Sequence, residues 1–232
     1  MKPRRLDQLM SSCGYCTRSE ARSWLKAGRV FVNGIVPRTT DVKVLASEVQ
    51  VDGEAVEAPE GLLALYHKPP DCICTHETRE GRTIYDILPQ RWRHRNPPVT
   101  SVGRLDKDTT GLLLLTDTGA LVQRLTSPKH KVPKVYEATV DRDLAASMIP
   151  LFASGNLQLE DDETPCLPAT LEILAPRQAR VTLVEGRFHQ VKRMFSTVGC
   201  NVTRLHRSQF GDYLLGDLPE GAWKMLDLSK IR

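Results

Sequence analysis

The chain has 232 residues, 41% of them hydrophobic, which is enough to bury a real core and to divide into two unequal domains. Its 32 Lys and Arg against 28 Asp and Glu leave a net charge of +4, too small to announce a polyanion partner; yet residues 1–43 hold nine cations against three anions, a local footprint for one. No apolar stretch is long enough to span a bilayer, and Met1-Lys-Pro-Arg-Arg5 leads into an acid-bearing amphipathic segment instead of a signal peptide, so a cytoplasmic protein with no membrane partner is expected.

In chain order, residues 4–10 read as a short amphipathic helix with Leu6, Leu9 and Met10 on one face. Cys13-Gly-Tyr-Cys16 and Cys72-Ile-Cys74 raise a redox or zinc reading, but no βαβ pattern surrounds the first pair and C-x-C suits structural zinc poorly. The six cysteines are therefore expected to be free thiols, with no metal site. Thr17-Arg-Ser-Glu20 has the form of a capping box, opening a helix to about Ala27 that Gly28 closes. Ala21, Trp24 and Leu25 form its core stripe; Arg18, Arg22 and Lys26 recur at i, i+4 and i+8 on the other side. Such a stripe is commonly just a solvated face, but here the cations continue into Arg29. Residues 29–36 read as a hairpin around Asn33-Gly34, and residues 49–56 as a third strand with a turn at Asp52-Gly53. Two helices followed by a small twisted sheet resemble an S4 (α-L) RNA-binding module. That resemblance implies that Arg18, Arg22, Lys26 and Arg29 contact the phosphates and 2′-hydroxyls of folded RNA.

Residues 57–61 are the expected linker, placing the two domains at 1–58 and 59–232. Residues 62–66 read as a strand, and Arg91-Trp-Arg-His-Arg95 as a solvated loop with some RNA contact. The stretch Ser101-Val-Gly-Arg-Leu-Asp-Lys-Asp-Thr-Thr-Gly-Leu-Leu-Leu-Leu-Thr-Asp117 is the most informative, because a polar loop punctuated by Gly103 and Gly111 runs straight into an apolar strand. Either aspartate could simply cap a turn. Asp106-Lys-Asp108-Thr also has the D-x-D-x-T look of an aspartyl-phosphate enzyme, but that motif follows a buried strand and this one precedes it. Residues 119–125 and 144–152 look helical, with a cationic loop over 127–134 and further strands over 171–174 and 180–184.

Residues 103–116 closely resemble the signature loop of the RsuA/Rlu-type pseudouridine synthases, G-R-L-D-x-x-T-x-G-L-L-L-L-T. The resemblance extends to Lys134-Val-Tyr136, to Glu185-Gly-Arg-Phe-His-Gln-Val-Lys192-Arg193-Met-Phe195, and to the strand Val202-Thr-Arg-Leu205-His-Arg207-Ser-Gln-Phe-Gly211. It implies that Asp106 is the essential carboxylate, that Tyr136 stacks on the target uracil and assists proton removal from C5, that Lys192 pairs with Asp106, and that Leu205 packs beside the base. Alone, such a tyrosine or leucine would more often be core and such a lysine a solvated charge. Arg104 is expected to clamp a phosphate or wedge the flipped nucleotide, and Arg193 to join the RNA contacts. Residues 82–88 resemble the family's short helix after Lys-Pro-x-Gly, whose glycine position is here Asp71. The implied fold is α+β, an S4 unit followed by a catalytic domain with a mixed, mainly antiparallel sheet flanked by helices. The implied activity is isomerisation of uridine to pseudouridine in rRNA without cofactor or metal, by a monomer acting on rRNA or an assembling ribosomal subunit. Residues 125–130 and the compact length look more like the member acting on 16S rRNA than those acting on 23S rRNA. The rival from another class is an S4-type assembly factor that binds RNA without chemistry.

Overall fold

The computed structural model describes residues 2–77, 79 and 81–228; Met1 and residues 229–232, which begin and end the two expected domains, lie outside the described residues. The first unit comprises β1 (Arg4–Arg5), α1 (Leu6–Ser12), α2 (Ala21–Lys26), β2 (Val30–Val32), β3 (Lys43–Val44), β4 (Val49–Val51) and β5 (Glu54–Ala55). The first helix starts later than its apolar spacing predicts. Arg4 and Arg5 pair antiparallel with Val44 and Lys43, and the Leu6 and Asp7 amides donate to the Val42 and Thr40 carbonyls, so a partner strand captures the chain before the helix begins. The capping box forms as expected: the Thr17 amide donates to Glu20 Oε2 at 2.8 Å and the Glu20 amide to Thr17 Oγ1 at 3.3 Å. Asn33 and Gly34 both take positive φ, 49° and 78°, as a tight hairpin turn requires. The second arm of that hairpin is only one bridge, Val32 to Ile35; β2 pairs instead with β4, and β4 with β5 across Asp52-Gly53. Leu6, Leu9, Met10, Ala21, Leu25, Val30 and Val51 close one apolar core.

The second unit is built on β6 (Leu63–Lys68), a 3-10 turn at Ile84–Asp86, α3 (Gln90–Arg93), β7 (Thr100–Ser101), β8 (Thr110–Thr116), α4 (Gly119–Thr126), β9 (Lys134–Val140), α5 (Met148–Ala153), β10 (Thr170–Ala175), β11 (Gln178–Leu183), α6 (Gln190–Thr197), β12 (Val202–Phe210), β13 (Tyr213–Leu214) and β14 (Trp223–Met225). Its sheet runs β10-β11-β9-β12-β8-β6-β14, with β13 on β12 and β7 on β8; among the described residues β12 and β8 are its one parallel pair, so it is mixed and mainly antiparallel. The leucine run of β8 serves two cores at once. Leu113 and Leu115 pack with Ala64, Tyr66 and Trp92, while Leu112 and Leu114 pack with Leu65 and Phe210. A third cluster under α5 and α6 holds Phe152, Phe195, Val181 and Leu205.

One expectation is corrected between the units. The 91–95 segment is not a solvated loop: Trp92 is buried, and Arg95 pairs with Asp117 at 2.8 Å with side chains only 2% and 8% exposed. The expected linker residues are held by the same arginines: Arg95 also donates to the Glu57 and Ala58 carbonyls, and Arg91 pairs with Glu57 at 2.8 Å. The sequence pattern showed clustered cations but not that the linker's carbonyls would need them.

Candidate active site

The loop before β8 is held from beneath. Lys68, at the end of β6, is fully buried and its ammonium donates to the carbonyls of Pro69, Lys107 and Thr109 at 3.0, 3.1 and 2.9 Å. Three acceptors match the three donors of an ammonium, which fixes both flanks of Asp108 to the sheet; burial pushes the Lys68 amine below its ordinary value. Gly103 opens the loop at φ 73°, and Asp71, which stands at the glycine position of Lys-Pro-x-Gly, takes the left-handed geometry of that position at φ 60°. Gly111 is demanded by contact: a Cβ there would lie 2.3 Å from the carbonyl oxygen of Arg207 on β12, the neighbouring parallel strand.

This scaffold presents Asp106 to the N-terminus of α6. Lys192 Nζ stands 3.4 Å from Asp106 Oδ2, as expected, but its shorter contacts are to Asp108, at 2.6 and 2.8 Å. Burial would raise the Asp108 carboxyl; the Lys192 ammonium hydrogen-bonded to it holds it below the usual carboxylate range. On the other side His189 Nε2 lies 3.5 Å from Asp106 Oδ1, projecting from a residue at φ 48° that precedes the helix and stacks on exposed Phe188. Arg193, next to Lys192, turns away: it pairs with Asp162 at 2.7 Å and donates to the carbonyls of Phe188 and Glu160. The 3.6-residue period of α6 separates the two cations, one for the loop and one for the wall.

Tyr136 from β9 and Leu205 from β12 complete the enclosure. Both line, with Gly103, Arg104, Asp106 and His189, a cavity of about 570 Å³. Tyr136 packs against both the β6–β8 core and the α6 core, so the cavity lies on the seam between the two halves of the sheet. Arg104 is exposed at its rim, while Arg207, two residues beyond Leu205 on the same strand face, is buried beneath Tyr136. Four expected residues from four segments thus meet in one place. Lys68, Asp108, His189 and Arg207 went unassigned; the i, i+2 spacing of Leu205 and Arg207 was the one signal that could have raised the last.

The segments that carry Asp106, Tyr136 and Lys192 fall within the reach of a known family. The model of the RNA pseudouridylate synthase family matches residues 63–197, and that of the S4 domain residues 4–49. The chain belongs to the RNA pseudouridylate synthase family. It is 37% identical to the ribosomal small subunit pseudouridine synthase A of Vibrio parahaemolyticus, over 98% of this chain and 97% of that one. To the proteins of the same name from Pasteurella multocida and Escherichia coli K12 it is 39% and 35% identical, each alignment covering 98% of this chain. A solved pseudouridylate synthase structure, 35% identical, superposes with a TM-score of 0.66 over 97% of this chain and 96% of that one. In this family member the S4 cations Arg18, Arg22 and Lys26 are exposed, Arg18 with an ion pair to Asp7 at 3.5 Å. Arg29 is more constrained, stacked 3.6 Å over Trp24 and held bidentate by Asp52.

Proposed function

We propose that this chain converts one uridine of 16S rRNA to pseudouridine, with residues 1–58 holding the RNA and residues 59–232 performing the isomerisation. The observation that carries this reading is the meeting of Asp106, Tyr136 and Leu205 around one cavity, with Lys192 3.4 Å from the carboxylate. A carboxylate for the sugar, an aromatic face for the base and an apolar wall against water are the groups an isomerisation without a cofactor needs. Asp106 either adds to C1′ or removes the C2′ proton; in both roles Lys192 orients it. Tyr136 stacks on the extruded uracil and assists proton removal from C5, and Leu205 closes the pocket on the base. Arg104 at the rim clamps the backbone of the flipped nucleotide, while Arg18, Arg22, Lys26 and Arg29 position the folded RNA. Arg193 contributes to RNA contact only after leaving Asp162. The small-subunit designation of the relatives, at 35 to 39% identity, supports 16S over 23S rRNA. The substrate is rRNA, free or in an assembling subunit, and the enzyme acts as a cytoplasmic monomer.

The test is pseudouridine mapping in total rRNA from cells lacking the gene, restored with the native chain or with Asp106→Asn. One 16S site is expected to vanish and to return only with the native chain. Purified Asp106→Asn is expected to lose turnover by at least about 10³-fold while binding RNA within about twofold of native. Persistence of every site, or a comparable loss of RNA affinity in Asp106→Asn, overturns the assignment.

A further inference from the structure

Two cations in the wall of the cavity form no ion pair among the described residues. Arg207 is 2% exposed; Nε donates to the Leu112 carbonyl at 2.8 Å, Nη1 to the Tyr136 hydroxyl at 3.5 Å, and Nη2 is buried without a hydrogen-bond partner. Lys134 donates to the Val132 carbonyl at 2.9 Å and, like Arg207, lies against the Phe210 ring, 5.5 and 5.1 Å from its centre. Burial, and then the nearby Arg207, push the Lys134 amine below its ordinary value. Among the described residues neither cation has a carboxylate within hydrogen-bonding reach, and both line the cavity with Asp106, Tyr136 and Leu205. A buried charge is normally paired, because an unpaired ion in a water-poor interior is among the costliest arrangements a fold can keep.

We propose that Arg207, with Lys134 beside it, is a cationic wall that takes up the negative charge the target uracil carries between losing one bond to the sugar and gaining the other. This rests on the reading of the chain as a pseudouridine synthase. When C1′–N1 breaks, its electron pair leaves with the uracil, spread over N1, O2 and O4, while C1′ is captured by the Asp106 carboxylate or the sugar loses its C2′ proton to it. Forming C1′–C5 returns a pair to the sugar and releases Asp106 or restores the C2′ proton. The C5 proton leaves, its pair restores the ring's conjugation, and N1 takes up a proton, so the net change is an isomerisation. Arg207 is a positioning residue here: it holds the Tyr136 hydroxyl, and its charge acts through a wall of low dielectric.

The test has two arms, applied to the native chain, Arg207→Met, Arg207→Lys and Lys134→Met. In the first, ligand-observed NMR compares uracil, neutral at neutral pH, with 5-nitrouracil, whose ring is ionised there. The native chain is expected to prefer the ionised base by about tenfold or more; Arg207→Met should erase that preference, Arg207→Lys keep most of it, and Lys134→Met narrow it. In the second arm, Arg207→Met should lower single-turnover pseudouridine formation by about 100-fold with RNA affinity within about twofold, and Arg207→Lys should recover at least about tenfold of that loss. Equal binding of the two bases by the native chain overturns the wall. So do equal rate losses in the Lys and Met variants with matching falls in Tm, which mark a structural role; should Arg207→Met fail to fold, an unchanged preference in Lys134→Met overturns it as well. A native chain that prefers the ionised base yet forms no pseudouridine overturns the reading under Proposed function and leaves the wall standing.

Discussion

At the scale of single residues, the balance around Lys192 decides how the Asp106 carboxylate is held. Its ammonium stands nearer to Asp108, at 2.6 and 2.8 Å, than to Asp106, at 3.4 Å, so Asp108 anchors the cation and leaves Asp106 only loosely engaged. Lys192→Met is expected to cut single-turnover rates by about 100-fold, whereas Asp108→Asn, which lets Lys192 close on Asp106, should cost less than about tenfold. A larger loss in Asp108→Asn than in Lys192→Met would make Asp108 the centre of the chemistry. The folded Asp108 carboxyl lies below its ordinary value, so its pairing with Lys192 is complete above that ordinary value and is lost only as the pH falls through the lowered one. Asp106, Tyr136 and Leu205 were legible because they sit inside contiguous patterns. Lys68 and Arg207 were not, because a lysine whose partners are three carbonyls, or an arginine with a buried unpartnered nitrogen, looks in the sequence like any surface cation.

At the scale of elements, β8 was the most readable and β1 the least. An unbroken leucine run means a strand covered on both faces, and its alternate leucines do divide between two cores. The segment before α1 carries helical spacing, yet strand pairing to residues 43–44 overrides it, as a two-residue ladder can when it closes the edge of a small unit. The Asn33-Gly34 turn was correctly placed but its partner strand was not, because a turn signal fixes local φ and says nothing of how far pairing continues. Gly111 joins element to site. A methyl there would overlap the backbone of Arg207, so Gly111→Ala should destabilise the chain by about 3 kcal/mol, lowering Tm by roughly 6–12 °C. Because the shift displaces β12, which carries Leu205 and Arg207, turnover at a temperature well below Tm should fall as well; a Tm within about 2 °C of native would mean that the parallel pair tolerates the extra atom.

At the scale of the whole molecule, the Arg95–Asp117 pair ties the linker to the end of β8, and Gly14 of the first unit lies against the backbone of Arg91 and Arg95. Arg95→Met leaves Asp117 buried without its cation and the linker carbonyls without donors. It should cost about 3–5 kcal/mol and split a single calorimetric transition into two, the first unit melting earlier; one unchanged transition would show that the units are coupled by packing alone. The S4 start, the mixed sheet and the motifs that carry Asp106, Tyr136, Lys192 and Leu205 were readable in the sequence, because turn chemistry, hydrophobic period and contiguous motifs are local. That Lys192 answers to two carboxylates, that Arg193 faces Asp162, that the arginines of residues 91–95 hold a linker and that Arg207 lies unpaired under Tyr136 were decided by tertiary structure. Each of those facts is a distance between segments far apart in the chain, and only folding sets such distances.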